Sequence, residues 1–286
     1  MHRPSRVVED DRVTVVVMSR DRRDALLASL AHHRAPVVLV DNGSTDGTVA
    51  AVRAAFPDVD VVALDRNLGA AARTLGVRRA RTPFVAFADD DSWWAPGALR
   101  TAADVLASVP SAAVAHGRVL LGAEERPDPF DAVLAASAVP PPPGVERRAL
   151  VGFMACASMV RAEAFLAVGG FDPVVRFPGE EERVALDLVA AGWALLYVPE
   201  ALVHHHPSPV RHGPDERVAA VVRSAVLTAV MRLPWRQVVG RVLRAARSAP
   251  GRRGLRAAVP DLVAAWRRRS VTPAAVRRLV GSAARS

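Results

Sequence analysis

The sequence predicts an α/β chain built on a doubly wound, mostly parallel central sheet with flanking helices, followed by a basic helical extension. Three observations carry that expectation. Short β-branched runs alternate with helical segments at βαβ spacing through the amino-terminal third. The polar clusters "SRDRRD", "DNGSTDGT", "DRNLG" and "DDDSWW" each follow one of those runs, at the strand carboxyl ends where such sheets gather ligands. The charge balance also changes late in the chain. Residues 211–286 hold 17 arginines against three acids, whereas residues 1–210 hold 21 basic and 26 acidic residues.

The first run, "VTVVVMS" (13–19), is short and β-branched, and the spacing of Ala25, Leu26, Leu27 and Leu30 after it suits a helix. "APVVLVDNGSTDGT" repeats the plan with a strand at Val37 to Val40, a turn-rich segment and a helix through "VAAVRAAF". "VDVVALDRNLG" supplies a third strand, "AAARTLGVRRA" a helix and "TPFVAFA" a fourth strand. "PGALRTAADVLASVP" then reads as a helix and "AAVAHGRVLL" as a strand. Residues 122–148 are Pro-rich with little periodicity, so a mobile loop is expected there. "GFMACASMVRAEAFLAVGGFDP" returns to strand then helix, and "ALLYVPEALVHHHP" closes with strands. Between them "GEEERVALDLVAAGW" is a helix whose acidic first turn suits the helix dipole, with Gly192 near its end.

Beyond Pro214 the helical stretches set Arg among Val, Leu, Ala and Trp. Arg223 interrupts the best apolar run well short of the roughly 18 to 20 residues that a spanning helix needs. Such helices suit a membrane surface rather than a span. The expected organisation is a flexible segment 1–12, an α/β domain 13–210 and an Arg-rich helical extension 211–286. Residues 1–11 are charged and lack an apolar core, so neither a secretory signal nor an amino-terminal anchor is expected. The chain is therefore expected in the cytoplasm, with a peripheral position at the inner face of the membrane as the variant. One cysteine, Cys156, excludes an internal disulfide framework. The 51% apolar composition is enough for a sizeable core.

"FADDDSWW" is the first candidate for chemistry. Alternate side chains at a strand end share a face, so Asp89 and Asp91 can converge while Asp90 turns elsewhere, to a structural role or a ribose contact. Paired carboxylates suit Mg²⁺ or Mn²⁺, and Trp93 and Trp94 are available to stack on a sugar. A solvated acidic turn is the plain alternative. Asp41 and Asn42 stand at another strand end, placed either for a base and ribose or for simple turn chemistry. Arg20 and Arg73 are candidates to neutralise a diphosphate. The glutamates of "PGEEER" offer a general base, although the dipole alone explains acids there. In "VHHHPSP" one histidine can join an aspartate-held metal, but a zinc site lacks the partners it needs.

As an ordered set these segments resemble the family 2 glycosyltransferases of GT-A fold. The matching stretches are "VTVVVMSRDR", "VDNGSTDGT", "DRNLGAAARTLG", "FADDDSWWAPGAL", "VGGFDP", "GEEERVALDLVAAGW" and "YVPEALVHHH", spanning residues 13–206. The resemblance implies inverting transfer from a UDP-, GDP- or dTDP-linked sugar to a carbohydrate or lipid-linked acceptor, with Mg²⁺ or Mn²⁺, in polysaccharide or glycolipid synthesis. It implies that Asp41 and Asn42 contact the base and ribose and that Arg73 lies near the nucleotide. Asp91 becomes the main metal ligand, with Asp89 beside it and His205 near the diphosphate and metal. Asp172 would line the site, and the family's Glu-Asp pair falls on Glu180 and Glu181, with Glu181 the base. Three departures stand out: Glu181 replaces Asp, Arg183 replaces a second Asp, and Thr74 replaces the common Asn.

Two other classes compete. A sugar nucleotidyltransferase shares a similar sheet, but "VVVMSRDRRD" has neither the Gly-rich loop nor the Lys of such enzymes. A binding module without chemistry is the other. Nucleic acid is not expected as a partner, because the basic tail lacks aromatic stacking platforms. An anionic membrane surface is the expected partner of that tail.

Overall fold

Five of the seven residues of β1 (Val13–Ser19) are β-branched, which suits a strand buried on both faces. Its side chains alternate between two cores: Val13, Val15 and Val17 join one cluster and Val16 the other. A computed structural model describes residues 7–207 and 213–283. After β1 come α1 (Arg23–Leu30), β2 (Val37–Asp41), α2 (Thr48–Ala55), β3 (Asp60–Ala63), α3 (Ala71–Arg79) and β4 (Phe84–Asp89), the expected alternation. The middle of the chain forms β5 (Ser92–Trp94), α4 (Ala98–Ser108), β6 (Ala112–Leu121), β7 (Arg126–Pro127), α5 (Pro129–Ala135) and β8 (Ala149–Leu150). Then follow β9 (Ser158–Arg161), α6 (Ala162–Ala167), α7 (Glu181–Ala190) and β10 (Ala194–His205).

The sheet runs β3-β2-β1-β4-β9-β6-β10-β5, with β7 beside β6 and β8 beside β10. β3, β2, β1 and β4 are mutually parallel. β9 is antiparallel to both β4 and β6, so β6 regains the direction of β4, and β10 runs parallel to β6. The carboxyl ends of β1, β2, β4, β6 and β10 therefore lie along one rim, bringing Ser19, Asp41, Asp89 and His205 to the same side. Helices α1, α2 and α4 pack on one face through Leu26, Leu30, Val52, Leu99 and Leu106. Helices α3, α6 and α7 cover the other through Val77, Phe165, Val184 and Leu188.

Several expectations need correction. The Pro-rich stretch 122–148, expected to hold a mobile loop, also contains two elements that its weak periodicity did not announce, β7 and α5. Asp128 caps α5 by accepting from the Phe130 N–H, Pro129 stands in its first turn, and Tyr197 donates to Asp131. The short edge strand β5 was hidden in "SWWAPG", because it pairs only with the distant β10. Residues 9–12, part of the expected flexible start, are tied down. The Glu9 N–H donates to the Arg34 carbonyl, and Arg12 pairs with Asp10 and Asp104. Residues 1–6 of that segment, and the expected boundary at 210/211, lie outside the described residues.

The extension folds as α8 (Pro214–Arg232), α9 (Trp235–Ala245), α10 (Ala249–Ala258), α11 (Leu262–Arg267) and α12 (Ala274–Ala283). It packs onto the α/β part through a third core that joins Val174, Val175 and Leu186 to Val226, Leu227, Val230 and Met231. Among the described residues no helix is long and apolar enough to cross a membrane.

Candidate active site

Asp89 is the last residue of β4, and the chain turns through Asp90 and Asp91 into β5. Because β5 pairs antiparallel with β10, Ser92 stands opposite His205 and the imidazole comes beside the acids. One ligand atom from each of Asp89, Asp91 and His205 lies within 4.8 Å of the others. His205 Nε2 is 3.3 Å from Asp91 Oδ1. Two carboxylates and an imidazole converging on one point make a donor set that fits a hard divalent cation. A depression of about 390 Å³, lined by Leu121, Gly122, Ala123, Arg126, His206 and Pro207, opens beside it.

Arg73 reaches this cluster from α3, on the face of the sheet that α7 also covers. Fully buried, it pairs with Asp89 and stands 3.4 Å from Glu180 Oε1. Glu180 is enclosed at the start of α7, and its second oxygen has no partner among the described residues. Burial, reinforced by the neighbouring Glu181, pushes its pKa up to about 8. Burial raises Glu181 as well, opposed by its own backbone N–H and that of Ala155. Glu181 keeps part of its surface open and accepts from the Ala155 N–H at 3.3 Å. Glu182 is drawn away, held by both outer nitrogens of Arg241 on α9.

Asp90 turns from the other two acids, as alternation at a strand end requires. It accepts from the Ser19 hydroxyl at 3.0 Å, and burial followed by the charges of Asp91 and Asp89 pushes its pKa up to about 7. Arg22 is the cation that sequence reasoning missed. Its guanidinium lies 3.7 Å from both Asp90 and Asp91, whereas Arg20 is exposed and faces Asp21. Asp21 adopts a φ of 51° that ends the strand alternation, so Arg22 rather than Arg20 turns toward the acids.

Other predicted residues are taken up by the fold. Asn42 donates to the Gly69 carbonyl at 3.1 Å and accepts from the Leu68 N–H at 2.8 Å, pinning the turn before α3. Asp41 beside it uses one oxygen for the Ser44 N–H, and the other is buried without a partner among the described residues. Trp94 is core, its indole N–H donating to the Phe87 carbonyl, and so is not available to stack on a sugar. The Trp93 ring stacks at 4.3 Å on His32 and is flanked by His204 and His206. Asp172 accepts from the Val174 N–H and faces Arg268 of the extension at 3.4 Å. The two unusual residues are structural: Thr74 accepts from the Phe171 N–H, and buried Arg183 holds the Val168 and Gly170 carbonyls. Cys156 is buried beside the acids, and burial holds its thiol protonated.

Residues 9–165 match the family described as Glycosyl transferase family 2, more than half of the chain. The chain belongs to that family. Within it, the chain is similar to the N-acetylglucosaminyl-diphospho-decaprenol L-rhamnosyltransferase of Mycobacterium tuberculosis, with 29% identity over 70% of this chain and 76% of the relative. Among solved structures it is similar to the mannosyltransferase PcManGT from Pyrobaculum calidifontis, in complex with GDP-Man and Mn²⁺. The TM-score is 0.58 at 20% identity, covering 98% of this chain and 78% of that one. S. aureus TarS residues 1–349 with UDP give a TM-score of 0.55 at 19% identity, covering 77% of this chain and 65% of that one. The fold is therefore that of the GT-A glycosyltransferases, and the chain is a glycosyltransferase enzyme.

Proposed function

We propose that the chain moves a glycosyl group from a nucleotide-linked donor to an acceptor hydroxyl with inversion, on a catalytic domain of residues 13–210 extended by residues 211–286. The observation that carries this reading is the convergence of Asp89, Asp91 and His205 beside the carboxylates at the start of α7. Asp89, Asp91 and His205 would hold Mg²⁺ or Mn²⁺. A bound cation of this kind supplies positive charge to the departing diphosphate. Arg22, flanking Asp90 and Asp91, adds positive charge at the same place.

Glu181 takes the proton of the attacking hydroxyl, because the residue is only half-buried whereas Glu180 is enclosed against Arg73 and Glu182 is held by Arg241. Attack opposite the leaving group inverts the anomeric carbon in one displacement. The unpartnered oxygen of Asp41 is the acceptor offered to the nucleotide base or ribose. UDP-, GDP- and dTDP-sugars are the donor class, and the name of the mycobacterial relative favours a lipid-linked diphosphosugar over a free carbohydrate as acceptor.

The test is release of nucleoside diphosphate across a donor panel with Mn²⁺, repeated in EDTA. Asp91→Ala and Glu181→Gln should each lose turnover at unchanged melting temperature. Full activity in the Glu181 variant would move the base to Glu180, and full activity in EDTA would remove the metal from the reading.

A further inference from the structure

The extension leaves two apolar stripes uncovered. Trp235, Val239 and Leu243, spaced one helical turn apart on α9, are 53%, 53% and 59% exposed, while Val238 between them enters the third core. Val259, just before α11, and Val263 and Trp266 on it are also about a turn apart and are each 60% exposed. The segments that carry them meet where the Arg269 guanidinium, just past α11, lies 4.3 Å from the Trp235 ring. Exposed arginines border them: Arg236, Arg244 and Arg247 with α9, and Arg252, Arg253 and Arg256 on α10. The sole acid after Glu216 is Asp261, and Arg223 neutralises it at 2.5 Å.

We propose that this face docks on an anionic lipid bilayer. Rows of Trp, Val and Leu on an acid-poor helical surface enter the headgroup boundary, and the flanking guanidiniums meet lipid phosphates. A second copy of the chain is a poor occupant, since two such faces repel. Nucleic acid would pair with the arginines but leave six large apolar side chains in water. Many arginines of the extension are not available for this purpose. Arg223, Arg232, Arg241 and Arg269 are spent on bonds within the chain, so the surface is defined by α9 to α11 rather than by the whole basic tail. The inference is independent of the transfer reaction, because none of these residues belongs to the acid cluster.

Co-sedimentation of the full chain with phosphatidylcholine vesicles, with and without phosphatidylglycerol, tests it. Binding should require phosphatidylglycerol and weaken as salt rises. Val239→Ser, Leu243→Ser, Val263→Ser and Trp266→Ser combined should weaken it by roughly tenfold or more at unchanged melting temperature. A wild-type chain that stays in the supernatant overturns the proposal, as does a folded quadruple variant that sediments like wild type. Duplex DNA or RNA that displaces the chain from vesicles at equal phosphate also overturns it and assigns the surface to nucleic acid. Donor release in solution, measured on the same samples, separates failure here from failure of the transferase reading.

Discussion

Asn42 and Arg22 show how residue roles are decided by partners rather than by position in a motif. Asn42 sits in a turn that reads as a ligand contact, yet both ends of its amide bond the backbone before α3. Asn42→Ala should therefore cost roughly 1 to 3 kcal/mol of stability, because the Leu68 N–H loses its acceptor, and denaturant unfolding measures this. A variant of unchanged stability with weakened donor binding would return Asn42 to the nucleotide. Glu180 has its own signature. With its pKa raised to about 8, the folded chain keeps a proton that the unfolded chain gives up near the ordinary value of 4.5. The fold then loses stability as pH rises through that window, and Glu180→Gln should flatten the fall in a series of melts. Because burial also raises Glu181, kcat/KM should fall in acid at a pH above the ordinary carboxylate range as the base is protonated. At this scale the acids and His205 were legible, since alternation and strand ends constrain them. Arg22 was not, because a turn resets the alternation at Asp21.

Helix α7 carries the proposed base, and the extension holds it from two sides. Arg232 of α8 pairs with Asp187, and Arg241 of α9 grips Glu182. The two clamps differ in burial. The Arg232 and Asp187 side chains are 13% and 15% exposed, against 29% and 33% for Arg241 and Glu182, so solvent screens the second pair more. Double-mutant cycles should give roughly 1 to 2 kcal/mol for the first pair and under about 1 kcal/mol for the second. Equal couplings would mean that burial does not set their strength. Helix α3 is held differently, by close approach to the sheet. A Cβ on Gly76 would meet Val16 at 2.5 Å, with Val40 behind it, so Gly76→Ala should destabilise by roughly 1 to 3 kcal/mol in chemical denaturation. Elements with their own periodicity, such as α4 and β6, were legible. Helix α5 and strand β5 were not, since a cap, a tyrosine on β10 and a remote strand hold them.

For the molecule as a whole, the extension is part of the folded unit rather than an appended arm. Ending the chain after residue 207 would expose Val174, Val175 and Leu186, which now pack against α8. The truncated protein should aggregate or melt well below the full chain, as light scattering and calorimetry would show. Equal melting temperatures would make the third core dispensable. The sequence by itself determined the parallel α/β plan, the rim of polar turns and the basic, non-spanning tail, because all three follow from local periodicity and composition. Only the tertiary structure decided that Arg73, far from both in the chain, joins Asp89 with Glu180. It also decided which arginines of the tail bind inward and which apolar stripes stay uncovered. Those outcomes depend on contacts between residues far apart in the chain, and local sequence pattern carries no record of them.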